Sequence, residues 1–263
     1  MVAHEHSRKP RRTRKQFAQV RARELWLGAA RLMQTRGASL TLLALPFGMA
    51  SAWLEQSILG LYPGEIGDSR LAAIVSLYGS MVITYLACAA ISTVALPHIE
   101  GVSHGRWKVD SIRWRRVGPV LTIAAVAPIG TIAGLAAAMV PGIIVWLSWV
   151  VAAPTALWKQ ESALQALLHS ARLTWGSRRS LFYVFAMVQF ATFIVTAALT
   201  FAMGHSLQSL FDDPKPLSSL ETTIAGLVET LQIALSATIC CVAYAKLTAA
   251  EDVHAKATHA SQS

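Results

Sequence analysis

Two glutamates stand inside long apolar stretches of this chain, at Glu55 and Glu229. A carboxylate is costly to place in a bilayer, so such a residue by default indicates a polar cavity, an ion path or a proton relay. Gln56 is adjacent to the first glutamate, and Gln232 follows the second by about one helical turn. These four residues form the candidate intramembrane polar pocket. The alternative is that each glutamate lies close enough to the outer interface to reach water.

The aqueous segments contain no familiar catalytic motif. They have no nucleophile elbow, phosphate-binding loop, HExxH sequence or paired carboxylates, and they are too short for a soluble catalytic domain. The three cysteines, Cys88, Cys240 and Cys241, fall inside apolar runs without the spacing of metal ligands, which favours packing roles. We therefore expect no catalytic residue, no cofactor and no metal.

The elements that must position the glutamates are apolar runs of membrane length. Of the 263 residues, 54% are apolar and only 14% are charged, whereas about a quarter of a soluble domain is charged. Runs of roughly 20 apolar residues match the hydrocarbon thickness of a bilayer. The sequence predicts an all-α polytopic membrane domain over residues 17–248. Its six spans are expected at about 38–61, 71–96, 117–140, 142–158, 181–203 and 222–247.

The cationic residues fall on one side of these spans. Of 23 lysines and arginines, 21 lie before the first span, in the connections 98–116 and 159–180, or near the C-terminus. Cytoplasmic segments carry such an excess, so both termini are predicted to be cytoplasmic. The basic segment 1–16 is expected to be disordered, and a polar tail, 249–263, ends the chain. The net charge of +9 is then an orientation signal, and no nucleic-acid partner is expected.

Amphipathic segments precede some of the spans. Residues 18–33 carry an apolar stripe that predicts a helix lying in the headgroup region or packed against the spans. Residues 163–175 carry a second stripe, with Leu164 and Leu168 on it and His169 off it. The residues expected at the cytoplasmic interface are Trp26, Arg31, Arg172, Trp175, Arg178 and Arg179. Their expected partners are anionic lipid headgroups.

These two amphipathic segments are weakly similar to each other. When residues 24–43 are aligned with 165–184, six of twenty positions are identical. A shorter basic segment precedes span three, so the chain is consistent with three parallel units, each a surface helix followed by a two-span hairpin. The alternative is that basic residues precede every span that starts from the cytoplasm.

Small residues and prolines predict local features of the spans. Gly130, Gly134 and Ala138 form a small-residue ridge in span three that allows close helix packing. The Pro141-Gly142 pair predicts a tight turn between spans three and four. Prolines inside spans predict kinks, because each lacks an N–H group; these are Pro46, Pro128 and Pro154.

Span four begins with a Pro-Gly pair and contains a late proline, and it is followed by Ala166, Leu167, Ser170, Leu173 and Gly176. This pattern resembles that of a group of uncharacterised six-helix bacterial inner-membrane proteins, and the resemblance implies the same membrane for this chain. The group includes YciC-like proteins and the membrane domain sometimes fused to glycerophosphoryl diester phosphodiesterases. The likeness covers roughly residues 22–248 and implies a six-helix fold. The group often has an acidic residue where this chain has Lys159, with Glu161 two positions later.

Three functions are compatible with these features. The first is a non-enzymatic inner-membrane protein that acts on lipids or partner proteins, in envelope organisation or as an accessory subunit. The second is a small transporter or channel with a polar cavity near Glu55 and Glu229. The third is a membrane enzyme acting on lipid headgroups through His98, His104 or His169.

Overall fold

A computed structural model of the protein describes residues 20–61, 66–99, 117–203 and 218–260. These residues form helices and contain no strand. The helices are α1 (Ala22–Leu61), α2 (Ile66–Ala95), α3 (Val117–Ala137), α4 (Met139–Trp149), α5 (Ala152–Lys159), α6 (Ala163–Thr174), α7 (Arg178–Ala202) and α8 (Ser219–Ala260). A single 3₁₀ turn, Leu96–His98, follows α2. The predicted segment 1–16 and connection 100–116 lie outside the described residues.

The described chain contains six helical segments long and apolar enough to cross a membrane. They are Ala22–Ile58, Arg70–His98, Val117–Ala137, Met139–Lys159, Arg178–Ala202 and Ser219–Val253. A helix satisfies its own backbone N–H and C=O groups, which is why uninterrupted apolar runs of this length adopt it in lipid. The predicted all-α fold with six membrane-length helices is confirmed.

The central contact of the bundle is between α1 and α8, and α2 packs against both. Gly48 of α1 lies against the backbone of α8, so closely that a Cβ atom there would lie 2.6 Å from Thr230 Cα. Gly226 of α8 lies against Met49 of α1, where a Cβ atom would be 2.7 Å from the Met49 sulfur and 3.4 Å from its Cα. Small residues let helix backbones approach, which is the main source of packing energy between helices in lipid.

The predicted surface helix at 18–33 and the first span form one continuous helix, α1. Leu25, Ala29 and Leu32 are buried, and their stripe continues into the span at Leu40 and Ala44. The partner is the last part of α8, where Val242 contacts Gly28. The apolar stripe therefore packs against protein, on the part of α8 around Val242. α8 itself continues to Ala260, beyond its predicted end near 247.

The turn between spans three and four is one residue long and lies before the predicted one. Ala138 is extended, with φ −170° and ψ 153°, and α4 begins at Met139. Pro141 therefore occupies the first turn of α4, where its missing N–H has no helical partner to lose. Gly142 packs against Gly134 of α3, whose Cβ position would lie 2.8 Å from Gly142 Cα. The Pro-Gly pair thus starts the helix and brings it close to α3.

The predicted fourth span is two helices. The chain leaves α4 at Val150 and Val151 and begins α5 at Ala152. Pro154 has no N–H to donate to the Val150 carbonyl, which favours a break one turn before it. By contrast, α1 and α3 continue through Pro46 and Pro128.

The short helix α6 compensates the break between α4 and α5. Ser170 Oγ donates to the Ser148 carbonyl at 2.7 Å, and Thr174 Oγ1 lies 3.5 Å from the same oxygen. Both donors are buried, as are Ala166, Leu167 and Leu173. The Ala-Leu-x-x-Ser-x-x-Leu pattern is therefore the inward face of α6. The predicted stripe residues Leu164 and Leu168 face outward, 68% and 51% exposed.

The two similar segments agree in burial and differ in backbone. Leu32 and Leu173 are both buried, as are Leu40 and Leu181, whereas Leu27 and Leu168 are both exposed. The first segment lies within α1, but the second is interrupted by a turn between α6 and α7. The predicted units thus do not share one form across the described chain, and their common origin stays a prediction.

Replacing Gly48 by alanine tests the close approach of α1 and α8. The new methyl group would meet the Thr230 backbone, and such overpacking costs about 1–3 kcal/mol. We expect a lower thermal unfolding temperature for Gly48→Ala in detergent. The matched control is Gly37→Ala on the same helix, where a Cβ atom would only touch Met33 at 3.8 Å. Equal stability of both variants would contradict the close contact.

Candidate functional site

Five helices surround a cavity of about 350 Å³. The helices α2, α8, α7, α4 and α3 contact one another in that order around it, and α3 returns to α2. Each helix contributes positions spaced by three or four residues, which lie on one face. The lining positions on α2 are Leu77, Ser80, Met81, Thr84, Tyr85 and Cys88; those on α8 are Gln232, Ser236, Ala237 and Cys240; those on α4 are Gly142, Ile143 and Trp146, with Val150 just after it; α3 adds Thr131 and Leu135, and α7 adds Phe185 and Gln189.

No charged side chain lines this cavity in the described chain. The hydroxyls of Thr84 and Thr131 donate to carbonyls of their own helices, at 2.8 and 2.9 Å. Among the described lining residues, side-chain hydrogen bonds between different helices join Gln232 Nε2 to Gln189 Oε1, at 2.6 Å, and the thiols of Cys88 and Cys240. The cavity is therefore a mostly apolar space with an amide pair on one wall.

The two ends of the cavity differ in burial. Cys88, Cys240 and Phe185 are buried at the end nearer the start of α7, where Phe185 makes an edge contact with Trp146 at 5.0 Å between ring centroids. Leu77 and Leu135, nearer the connection of α3 to α4, are exposed. The cavity is thus closed at one end by packed side chains and less covered at the other.

Glu229 lies behind the wall of the cavity and is half-buried. Its Oε1 accepts a hydrogen bond from Ser51 Oγ at 2.8 Å, and Ser51 Oγ lies 3.1 Å from Ser80 Oγ. Ser80 also lines the cavity. Two hydroxyl groups therefore connect the carboxylate to the cavity.

The four residues of the predicted polar pocket have different surroundings. Gln232 lines the cavity, whereas Glu229 is directed to Ser51 of α1. Glu55 is exposed one helical turn beyond Ser51, and Gln56 is half-buried. The serines that link Glu229 to the cavity were missed in the sequence, because small hydroxyl residues in a span are common and carry no pattern.

The small-residue ridge of α3 faces α4. A Cβ atom on Gly130 would collide with the Trp149 ring, with 2.6 Å to Cη2, and Gly134 meets Gly142. Ala138 is the extended residue between the helices instead of a member of the ridge. The glycines thus hold α3 and α4 together as one antiparallel pair.

The predicted interfacial residues lie on the surface of the bundle. Trp26, Arg31, Arg172 and Arg179 are exposed. Trp175 is 59% exposed, and the Arg178 guanidinium lies 4.3 Å from the centroid of its ring. Arg178 Nε is buried without a hydrogen-bond partner in the described residues.

A charged network that sequence reasoning missed joins α5 and α6 to the end of α8. Lys159 Nζ donates to Glu251 Oε2 at 3.0 Å and to His169 Nε2 at 2.9 Å. His169 Nδ1 lies 2.8 Å from Glu161 Oε1, and its Nε2 lies 3.4 Å from Glu251 Oε2. No spacing rule brings Lys159 and Glu251 together, since they are 92 residues apart. Partly exposed ion pairs contribute little stability individually.

Two of the histidines considered for headgroup chemistry, His98 and His169, make hydrogen bonds within the protein. His169 bonds within this network, and His98 Nδ1 lies 2.8 Å from the Val94 carbonyl. His104 lies outside the described residues.

Comparison with known proteins finds no match. No family model, no curated protein and no solved structure is similar to this chain at a significant level. The resemblance to YciC-like membrane proteins stays a prediction, and the function rests on the site alone.

Removing the Ser51 hydroxyl tests the bonding of Glu229. Ser51→Ala removes the 2.8 Å donor to the carboxylate and leaves Ser80 as its other hydroxyl partner, and the loss of one hydrogen bond costs about 0.5–1.5 kcal/mol. We expect a lower unfolding temperature in detergent. Glu229→Gln keeps an acceptor oxygen for Ser51 and should cost less. The exposed Glu55→Gln variant is the control; a larger loss there than in Ser51→Ala would contradict the assignment.

Proposed function

We propose that this protein is a non-enzymatic integral membrane protein that binds an uncharged, mainly apolar molecule of the bilayer between its helices. The observation that carries the proposal is the cavity between helices of five of the six membrane-length segments, without a charged lining residue in the described chain. Such binding fits the first function expected from the sequence, action on lipids in membrane or envelope organisation.

The lining determines the ligand class. A charged group moved from water into this space would lose its hydration and find no opposite charge among the lining side chains, which is strongly unfavourable. Cavities of about 300–1,000 Å³ with mostly apolar walls and a few polar groups are typical of small-molecule sites. The ligand is therefore neutral and mostly hydrocarbon, with small polar parts only near Gln189 and Gln232 or near the buried Tyr85 hydroxyl.

A second candidate function is transport. The specific observation in its favour is the hydroxyl chain from Glu229 through Ser51 to Ser80, which places a carboxylate one layer behind the cavity. A carboxylate within a membrane-length helix is a candidate proton or ion site. In a transporter, Glu229→Gln would abolish the coupled movement of substrate and leave substrate binding in place. In a lipid-binding protein without transport, the same variant would leave lipid binding unchanged and there would be no coupled movement to lose.

The proposed setting is the bacterial cytoplasmic membrane, with both termini in the cytoplasm. Its support is the distribution of lysine and arginine, of which Arg70 and Lys215 alone fall on the other side. Trp175 with Arg178, and the exposed Arg172 and Arg179, are suited to the anionic headgroups of the inner leaflet. The resemblance to YciC-like proteins agrees with this setting and implies no known activity.

Filling the cavity tests ligand binding. Ser236→Phe projects a ring into the cavity from α8, so we expect about tenfold less co-purifying small lipid, a loss of about 1.4 kcal/mol in binding. Leu231→Phe on the exposed side of the same helix is the control. Native mass spectrometry and lipid analysis of the purified proteins provide the measurement. Wild type and Ser236→Phe with the same bound lipids would refute the proposal.

Reporter fusions test the orientation. Alkaline phosphatase fused after residue 66 or residue 214 should be active, because both positions are expected outside the cytoplasm. Green fluorescent protein fused at the C-terminus should fluoresce. Inactive phosphatase at both internal positions would reverse the proposed topology.

A further inference from the structure

The second half of α7 is less covered by the rest of the bundle than its first half. Val184, Phe185 and Val188 are buried, but none of the described residues from 189 to 203 is. On α8, Ile233, Thr230 and Thr222 remain buried along the corresponding length. One side of α7 is therefore uncovered over the part of the helix that leads away from its charged start.

The beginning of α4 is uncovered as well. Met139 and Val140 are 72% and 65% exposed. Trp146 of α4 and Phe185 of α7 are in edge contact. One turn from this ring contact, towards the start of α4 and the end of α7, Ile143 and Gln189 both line the cavity. Beyond the ring contact, the two helices therefore leave a gap that leads from the apolar exterior to the cavity.

The depth of this gap limits what can pass through it. Gln189 follows Arg178, at the charged start of α7, by eleven residues, which is about 16 Å at 1.5 Å per residue. That is roughly half of the 30 Å hydrocarbon thickness. A charged or zwitterionic headgroup at this depth would be out of water, so the lipid that reaches Gln189 is an uncharged one.

Gln189 supplies a hydrogen-bonding group at the opening. It is exposed between Met187 and Phe190, both of which face outward. Its oxygen accepts from Gln232, and its own N–H groups have no recorded partner within the part of the chain that the structure describes. A primary amide has two N–H donors, and in hydrocarbon an unpaired donor is unfavourable. An acceptor oxygen on a ligand would satisfy one of them.

We infer that the gap between the start of α4 and the second half of α7 is a lateral entrance from the bilayer. Its ligand is an uncharged lipid that carries a carbonyl or hydroxyl oxygen in its hydrophobic body. The chain of the lipid lies in the cavity, and the oxygen accepts a hydrogen bond from the Gln189 amide. This inference rests on the proposed function and adds the ligand class and its route.

Photo-crosslinking in lipid nanodiscs tests the ligand class. Four probes carry the same alkyl diazirine: a long-chain methyl ketone, a hydrocarbon, a carboxylate and a phosphatidylcholine. For the wild type, we expect the ketone to label peptides of α4, α7 and α8 about three- to tenfold more than the hydrocarbon, the range set by one hydrogen bond. Gln189→Leu should lower ketone labelling to the hydrocarbon level, and Met187→Leu, an exposed position on the same helix, should not.

The route is tested at α4. Ile143→Trp places a large ring at the opening and should reduce ketone labelling of the peptide that contains Cys240. Ile144→Trp, one residue away and exposed, is the matched control. Unchanged unfolding temperatures of all four variants, within a few degrees, show that the bundle is intact.

Each outcome has a separate meaning. The inference is overturned by any of four results. These are equal labelling by ketone and hydrocarbon, no effect of Gln189→Leu, stronger labelling by the carboxylate or phosphatidylcholine, and no effect of Ile143→Trp. If Ser236→Phe still reduces labelling in that case, the proposed binding function stands alone. If no probe labels the cavity-lining residues above the level of an exposed residue outside the cavity, such as Phe201, the proposed function falls with it.

Discussion

The close contact of α1 with α8 is the constraint on which the other helices depend. At Gly48 the backbones of the two helices approach so closely that a side chain would not fit between them. This contact holds α8 in the centre of the bundle. From Ile233 to Leu247, nearly every side chain of α8 is at least partly covered, and most are buried. α2 and α7 pack on this central pair. In lipid, where apolar surface is not driven together by water, such shape complementarity has to supply the association energy.

A second constraint is the broken helix formed by α4 and α5. Pro154 interrupts the hydrogen-bond ladder, and the Ser148 carbonyl at the break is bonded by Ser170 of α6. α6 is itself started by a capping box, in which Ser162 and Gln165 satisfy each other's backbone N–H groups. The result is a compact helical corner tied to the end of α8 by Lys159 and Glu251.

The cavity follows from these two constraints. α8 is fixed by α1 on one side, while α3 and α4 are fixed to each other by Gly134 and Gly142. α2 and α7 bridge the two pairs, and the ring that results encloses more space than the lining side chains fill. Because these side chains are uncharged, the space is suited to molecules already dissolved in the bilayer. A binding function, with the membrane itself as the source of the ligand, therefore needs no aqueous domain.

The sequence alone determined that this is an all-helical protein with six membrane-length segments. The length of an apolar run and the positions of charged residues are local properties, and they match the thickness and the surfaces of a bilayer without reference to tertiary structure. It also identified Glu229 and Gln232 as unusual, because a polar residue in an apolar run is visible without a structure. Tertiary structure decided what these residues face. Glu229 meets Ser51 and Gln232 meets Gln189 because α1, α2, α7 and α8 are neighbours, and no periodicity along one helix predicts which helices are adjacent. The same holds for α1, whose apolar stripe is compatible with lipid or protein; the position of α8 beside it decides that the stripe packs against protein.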